Sequence, residues 1–224
     1  MGTITRGFAN NINSSGILKP AAFNNDSFDN ITSVPSGSLV TGGMVFIKKL
    51  TASSSATLSF VDGSDGVVLD DTYKEYVFTF NNIHGSTDDK DLTFQCSTDN
   101  GSTYGITLTS THFRSYHEES DSLNGVSYED SGDLAQSTSF QQILQDIGSE
   151  DDECGSGIMS LYNPSSSVFV KHFMAETSRV WSAPGEGHQF IAGYFNTTNP
   201  IDAIQFKMES GNIDSGDICL YGIA

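Results

Sequence analysis

Positive charge is scarce in this chain. Ten Lys and Arg residues stand against 28 Asp and Glu, for a formal net charge of −18. Phosphate backbones are held by clustered Lys and Arg, so this balance argues against DNA and RNA as partners. It argues equally against an anionic membrane surface. Tryptophan occurs once, as Trp181, and cysteine three times, as Cys96, Cys154 and Cys219. An odd cysteine count without Cys-x-x-Cys spacing is neither a disulfide framework nor a zinc site. It fits folding in a reducing cytoplasm. No stretch is apolar for long enough to predict a membrane-spanning helix. The opening residues contain no apolar run, so no secretory signal is expected. Arg6 stands where a myristoylation signal needs a hydroxyl residue.

Catalytic signatures are absent as well. There is no Gly-x-Ser-x-Gly, no His-x-x-x-His, and no glycine loop of the Walker or dinucleotide kind. The five histidines (His84, His112, His117, His172, His188) are scattered. Glu118 and Glu119 are adjacent in a polar stretch, where solvated charge is the expected role. Asp62-Gly-Ser-Asp-Gly66 and the acidic run at 150–153 offer hard oxygen atoms for calcium, but neither has EF-hand spacing. No metal, cofactor or catalytic residue is therefore assigned, and the chain is expected not to be an enzyme.

What the chain has is alternation. Ile204, Phe206 and Met208 are separated by Gln205 and Lys207, and Ile218 and Leu220 continue the pattern near the end. A two-residue period places one set of side chains on each face of a strand. Strands are predicted at 44–50, 56–61, 73–80, 91–98, 104–111, 157–162, 168–175, 188–196, 203–209 and 218–223, with a short one near Val126. Tyr76, Phe78 and Phe80 are expected to point inward, as are Leu92, Phe94 and Cys96. Asp99-Asn100-Gly101 tolerates positive φ and predicts a hairpin into 104–111. Residues 113–136 read as a long polar loop. At 137–147, Phe140, Ile143, Leu144 and Ile147 have i, i+3, i+4, i+7 spacing, which predicts an amphipathic helix. Ser137 or Thr138 would cap it and Gly148 would end it. The fold class that follows is all-β: an antiparallel β-sandwich of jelly-roll type with one short inserted helix.

Residues 1–42 follow neither period. They are rich in Asn and Ser, and such a segment alone buries too little to offset its ordering entropy. Yet they carry Phe8, Ile12, Ile17, Leu18, Phe23, Phe28, Ile31 and Val34, more apolar residues than a linker needs. Two domains are expected: an extended N-terminal docking arm at 1–42 and a β-sandwich at 43–224. Phe8, Ile12, Phe23, Phe28, Ile31 and Val34 are the candidate partner-binding residues. Trp181, Tyr116, Phe113 and Tyr194 invite a sugar platform. Strand aromatics usually serve the core, so Trp181 alone is the candidate glycan contact.

Several segments resemble stretches of a known protein family. They include Tyr73-Lys-Glu-Tyr-Val-Phe78, Phe94-Gln-Cys-Ser-Thr-Asp-Asn-Gly-Ser-Thr-Tyr104, Leu134-Ala-Gln-Ser-Thr-Ser-Phe140 and Ile191-Ala-Gly-Tyr-Phe-Asn-Thr-Thr198. Ile201-Asp-Ala-Ile-Gln-Phe-Lys-Met208, Ser210-Gly-Asn-Ile-Asp-Ser-Gly216, Leu220-Tyr-Gly-Ile223 and the opening Thr5-Arg-Gly-Phe-Ala-Asn-Asn-Ile12 complete the set. Together they resemble virion structural proteins of marine tailed bacteriophages, including cyanophages. The resemblance implies a non-enzymatic virion component, assembled in the cytoplasm of the host bacterium. A capsid decoration or head-fibre protein anchored by the arm is the first expectation. A tail-fibre or tail-tip protein that contacts host receptors or glycans is the alternative. The implied partners are other virion proteins, either the major capsid protein or tail and fibre components. A homo-oligomer, as a guess a trimer, is expected with them.

Overall fold

A computed structural model describes residues 43–182 and 185–224, all within one unit, residues 41–224. The expected arm and its six candidate docking residues lie outside the described residues. Twelve strands are present and, among the described residues, no helix. In chain order they are β1 (Met44–Thr51), β2 (Leu58–Val61), β3 (Glu75–Gly85), β4 (Lys90–Ser97), β5 (Leu108–Glu118) and β6 (Asn124–Tyr128). There follow β7 (Gln141–Ile147), β8 (Gly155–Tyr162), β9 (Lys171–Val180), β10 (Gly185–Phe195), β11 (Ala203–Met208) and β12 (Ile213–Ile223).

They form two antiparallel sheets, an eight-stranded one ordered β1-β12-β3-β8-β9-β10-β5-β6 and a four-stranded one ordered β2-β11-β4-β7. The order is nested: β1 and β2 pair with β12 and β11, and β3 and β4 with β8 and β7. Strands β5, β6, β9 and β10 break the nesting, and all four sit together at one end of the larger sheet. That sheet therefore overhangs its partner beyond the edge strand β7.

The core between the sheets is aromatic. Phe206 of β11 sits within 6.3 Å, centroid to centroid, of Phe60, Phe78, Phe80 and Phe94, which belong to both layers. Each buried Phe contributes on the order of 2–3 kcal/mol. Tyr76, Phe78 and Phe80 point into this core as expected, and so do Leu92, Phe94 and Cys96. The three cysteines are free.

The predicted helix at 137–147 is a correction. Residues 141–147 are strand β7. Leu92 pairs with Leu144, Thr93 with Gln142 and Phe94 with Gln141, so Ile143 has no opposite number. A second irregularity lies between Lys90 and Leu92, beside Asp146 with its φ of 47°. A β-bulge puts an extra residue into one strand and shifts every later side chain to the other face. Two such insertions bury Ile143, Leu144 and Ile147 and so mimic helical spacing on an edge strand. Phe140 stands before the strand, with the Lys207 ammonium 4.1 Å from its ring centroid.

The hairpin after β4 is also corrected. Asn100 and Gly101 have the expected positive φ, 58° and 74°. The chain then leaves the small sheet, and β5 pairs with β10 and β6 in the large one. The crossing segment covers the outer side of β4. Gln95 Nε2 donates to the carbonyls of Ile106, Thr138 and Ser139 at 3.1, 3.3 and 3.0 Å, and Gln95 is fully buried. Of the loop expected at 113–136, the first part up to Glu118 is the end of β5, and the short strand expected near Val126 is present as β6; 119–123 and 129–136 are loop. The exposed faces of β5 and β6 carry polar residues between Phe113, Val126 and Tyr128, which weakens the alternation signal.

Candidate functional site: two faces of the overhanging sheet

Cross-strand register builds the outer face of the large sheet. One row runs Phe46, Tyr221, Val77, Ser160, Met174, Ala192, Thr111 across seven strands without a charged residue. The next runs Lys49, Cys219, Thr79, Ile158, Glu176, Phe190, Phe113, Tyr128 across all eight. Its one carboxylate, Glu176, lies 3.0 Å from His188 Nε2. Phe46 is 57% exposed and Met174 56%. Small residues at Ala192 and Thr111 leave a shallow groove of about 320 Å³ between Phe113, Phe190, Tyr162 and Met174. Val77 and Cys219 within these rows are buried, so the exposed apolar groups are Phe46 on β1 and, on β5, β6, β8 and β9, Phe113, Tyr128, Ile158 and Met174; exposed apolar patches mark contact surfaces.

The inner face changes character along the overhang. Phe173, Ala175 and Ile191 face the core, but Thr177 and Gln189 are buried polar groups, and Arg179 is only 3% exposed. At this end a cleft of about 490 Å³ opens past β7, lined by Arg114, Tyr116, Arg179 and Trp181, with Asp89, Glu118, Leu123 and Asp146 around them. Two strands contribute the same device. On β9 and just beyond it, the Arg179 guanidinium carbon lies 4.9 Å from the Trp181 ring centroid. On β5, the Arg114 guanidinium lies 5.7 Å from the Tyr116 ring centroid.

Each ring lies over a glycine of a neighbouring strand. A Cβ at Gly185 would come within 2.5 Å of the Trp181 ring, and one at Gly125 within 2.8 Å of the Tyr116 hydroxyl. Any other residue would lift the rings away. Gly187, the registered neighbour of both Arg179 and Tyr116, forms the floor between them.

The guanidiniums converge on β7. Arg179 Nη2 and Arg114 Nη1 lie 3.7 and 3.8 Å from Asp146 Oδ2. Arg114 Nη1 donates to Gln145 Oε1 at 3.0 Å. Arg114 Nε is 2.8 Å from Glu129 Oε2, an ion pair whose N–H is not aimed at the oxygen. Arg179 Nε and Gln189 Nε2 are buried without a partner among the described residues. Burial lowers the Arg179 guanidinium to about 10 against the favourable field of Asp146. Burial likewise raises Asp146, with Arg179 and Arg114 opposing the shift. Next to it Asp91, 5% exposed, accepts the Asp146 N–H at 2.8 Å, and burial raises its carboxyl to about 6. His112, also fully buried, has neither ring nitrogen hydrogen-bonded, and burial lowers it.

Of the four aromatics named from sequence, the structure brings Trp181 and Tyr116 together in the cleft. Phe113 and Tyr194 stand on the opposite face. Arg114, Arg179, Asp146 and the glycines were not singled out. Their signal was the repeated Arg-x-aromatic spacing, 114 to 116 and 179 to 181, with Gly185 and Gly187 in alternation. The two acidic segments read for calcium are engaged internally: Asp62 Oδ1 accepts the Leu69 N–H and Glu153 Oε2 the Glu150 N–H. Among the described residues no group of three or more His, Cys, Asp or Glu is arranged to hold a metal ion. Comparison with protein-family models, with curated proteins and with solved structures finds no match to this chain.

Proposed function

We propose that the chain is a non-enzymatic structural protein of a bacteriophage virion, a capsid decoration or head-fibre component whose outer sheet face packs against a neighbouring copy. The observation that carries this reading is the charge-free row from Phe46 to Thr111. A chain with a net charge of −18 repels its own copies. Copies crowded on a particle approach most cheaply where carboxylates are few, and these two rows hold one, paired with His188, while the flanking Glu75 and Asp217 are held by Ser160 and Lys49.

The fold class supports the reading. With β5, β6, β9 and β10 set aside, the remaining strands renumber as 1-8-3-6 opposite 2-7-4-5. We read this as a jelly roll with a four-strand extension, and jelly rolls serve as viral capsid and lectin domains alike. Fold alone does not assign a role, so the resemblance of the sequence motifs to virion proteins supplies the context. In this reading residues 1–42 form the anchor to the major capsid protein.

The test is assembly. Replacing Phe23, Phe28 and Ile31 together by Ser should free the protein from particles while the sandwich stays folded, since each contributes on the order of 2 kcal/mol when buried. Full occupancy of the triple variant would refute the anchor. A copy number per virion that matches the capsid lattice supports decoration. A count that matches the tail supports the second reading, a tail-fibre or tail-tip protein contacting host glycans, which the cleft beside Trp181 favours.

A further inference from the structure

We infer that the cleft between Trp181 and Tyr116 is a binding site for a neutral oligosaccharide, taking two sugar rings side by side. It deepens the glycan-contact reading but does not require a place on the tail, and it is independent of the outer-face packing.

The lining selects the class of ligand. Three carboxylates (Asp89, Glu118, Asp146) and two guanidiniums (Arg114, Arg179) face the cleft, leaving one net negative charge. The net negative charge repels anionic ligands, and the two guanidiniums on the wall of the cleft repel a cation placed against them. A neutral polyhydroxyl ligand uses both, since each of its hydroxyl groups donates and accepts. Carboxylates accept from it and guanidiniums donate to it, and charge-assisted bonds of this kind are the strong ones. The aromatic rings supply flat apolar surface for the C–H faces of sugar rings.

Geometry adds the length. The Arg-x-aromatic pairs lie on β9 and β5, with β10 between them. Two strand spacings amount to about 10 Å, room for a disaccharide rather than a single ring. Gly185 and Gly187 let the Trp181 ring and the Arg179 guanidinium lie close on β10, so a ligand sits above these two side chains rather than on the glycines. The polar groups are also incompletely used: Arg179, 97% buried by its side-chain exposure of 3%, leaves Nε without a partner. Buried polar groups are otherwise almost always satisfied. Nε itself is closed off from solvent, so a ligand meets Arg179 only through the part of its side chain that lines the cleft.

Trp181 is the sole tryptophan, so indole emission reports on this cleft alone. The experiment titrates the full-length protein with maltose, cellobiose, lactose and N,N′-diacetylchitobiose, and with digalacturonic acid and chitosan dimer as charged counterparts. The inference predicts a saturable emission change for at least one neutral disaccharide, with a Kd on the order of 1 mM, and binding about tenfold weaker for the charged dimers. Tyr116→Ala and Gly187→Val keep the reporter and should weaken binding by about tenfold or more. Thermal melting of each variant establishes that it is folded. Phe113→Ser, on the opposite face, should bind as the parent does. No saturable change for any neutral disaccharide overturns the inference. So does binding that both cleft variants leave intact, or equal binding of the charged dimers.

Discussion

Phe113 and Phe190 are registered partners on β5 and β10, and their rings stack on the outer face with centroids 4.9 Å apart and planes 11° from parallel. Such a pair adds about 0.5–1.5 kcal/mol beyond its buried area. Phe113 is nevertheless 44% exposed, so a large part of its apolar surface still faces outward. Replacing both with Ser should therefore lower folding stability by no more than about 2 kcal/mol, measured by urea unfolding. Self-association, measured by sedimentation at high protein concentration, should fall much further. Equal self-association of parent and variant would separate this face from assembly.

Arg179 is predicted to matter through burial rather than charge alone. Deleting one partner of a buried ion pair leaves the other uncompensated. Asp146 is half exposed and recovers some hydration, so Arg179→Ala should cost about 2–3 kcal/mol rather than the full amount for a sealed pair. Arg179→Met fills the same space but still leaves Asp146 with Arg114 alone, so it should cost less than Arg179→Ala, by about 1 kcal/mol. Chemical unfolding of the two variants distinguishes packing from pairing.

Asp91 should make stability fall as pH rises. An unfolded carboxyl titrates near 3.9, while Asp91 in the fold titrates at about 6. The folded state therefore holds this proton longer, and its contribution declines between about pH 4 and pH 6 and stays low above. Asn at this position still accepts the Asp146 N–H without the buried charge. Asp91→Asn should be more stable than the parent at pH 7 by roughly 1–3 kcal/mol, with the difference vanishing below about pH 4. Asp99 acts oppositely. Ser97 and Thr103 hydroxyls hold its carboxylate down at about 2, so its contribution is present above about pH 4 and is lost as pH falls towards 2. Comparing parent with variant at each pH isolates Asp91 from it.

Phe206 is the contact between layers. Its ring meets Phe78 and Phe80 from the large sheet and Phe60 and Phe94 from its own. Phe206→Ala should cost about 3–5 kcal/mol, the loss of transfer energy plus an unfilled cavity. Phe206→Leu should cost clearly less, because part of the volume remains. Thermal denaturation measures both.

The inward residues of β3, β4 and β11 were legible because apolar side chains recur at every second position in Tyr76, Phe78 and Phe80, in Leu92, Phe94 and Cys96, and in Ile204, Phe206 and Met208, the period of β3 breaking only after Phe80. Strand β7 was misread because its two bulges make Ile143, Leu144 and Ile147 repeat like a helix. Which strand pairs with which was not legible at all. Asn100-Gly101 promised a hairpin with β4, but positive φ specifies only a local reversal, and β5 pairs instead with the distant β10 and with β6, which follows it. The cleft was half legible for a related reason. Trp181 stands out as a lone tryptophan, whereas Arg114 and Arg179 meet only because β10 aligns Gly187 with both strands.

The central claim is that this sandwich is a building block of a virion. An electron cryo-microscopy map of the intact particle tests it most directly. The account predicts twelve-stranded density at capsid-lattice positions, with the row from Phe46 to Thr111 buried against a neighbouring copy. A particle that carries no density for this chain, or carries it with that row open to solvent, would contradict the account.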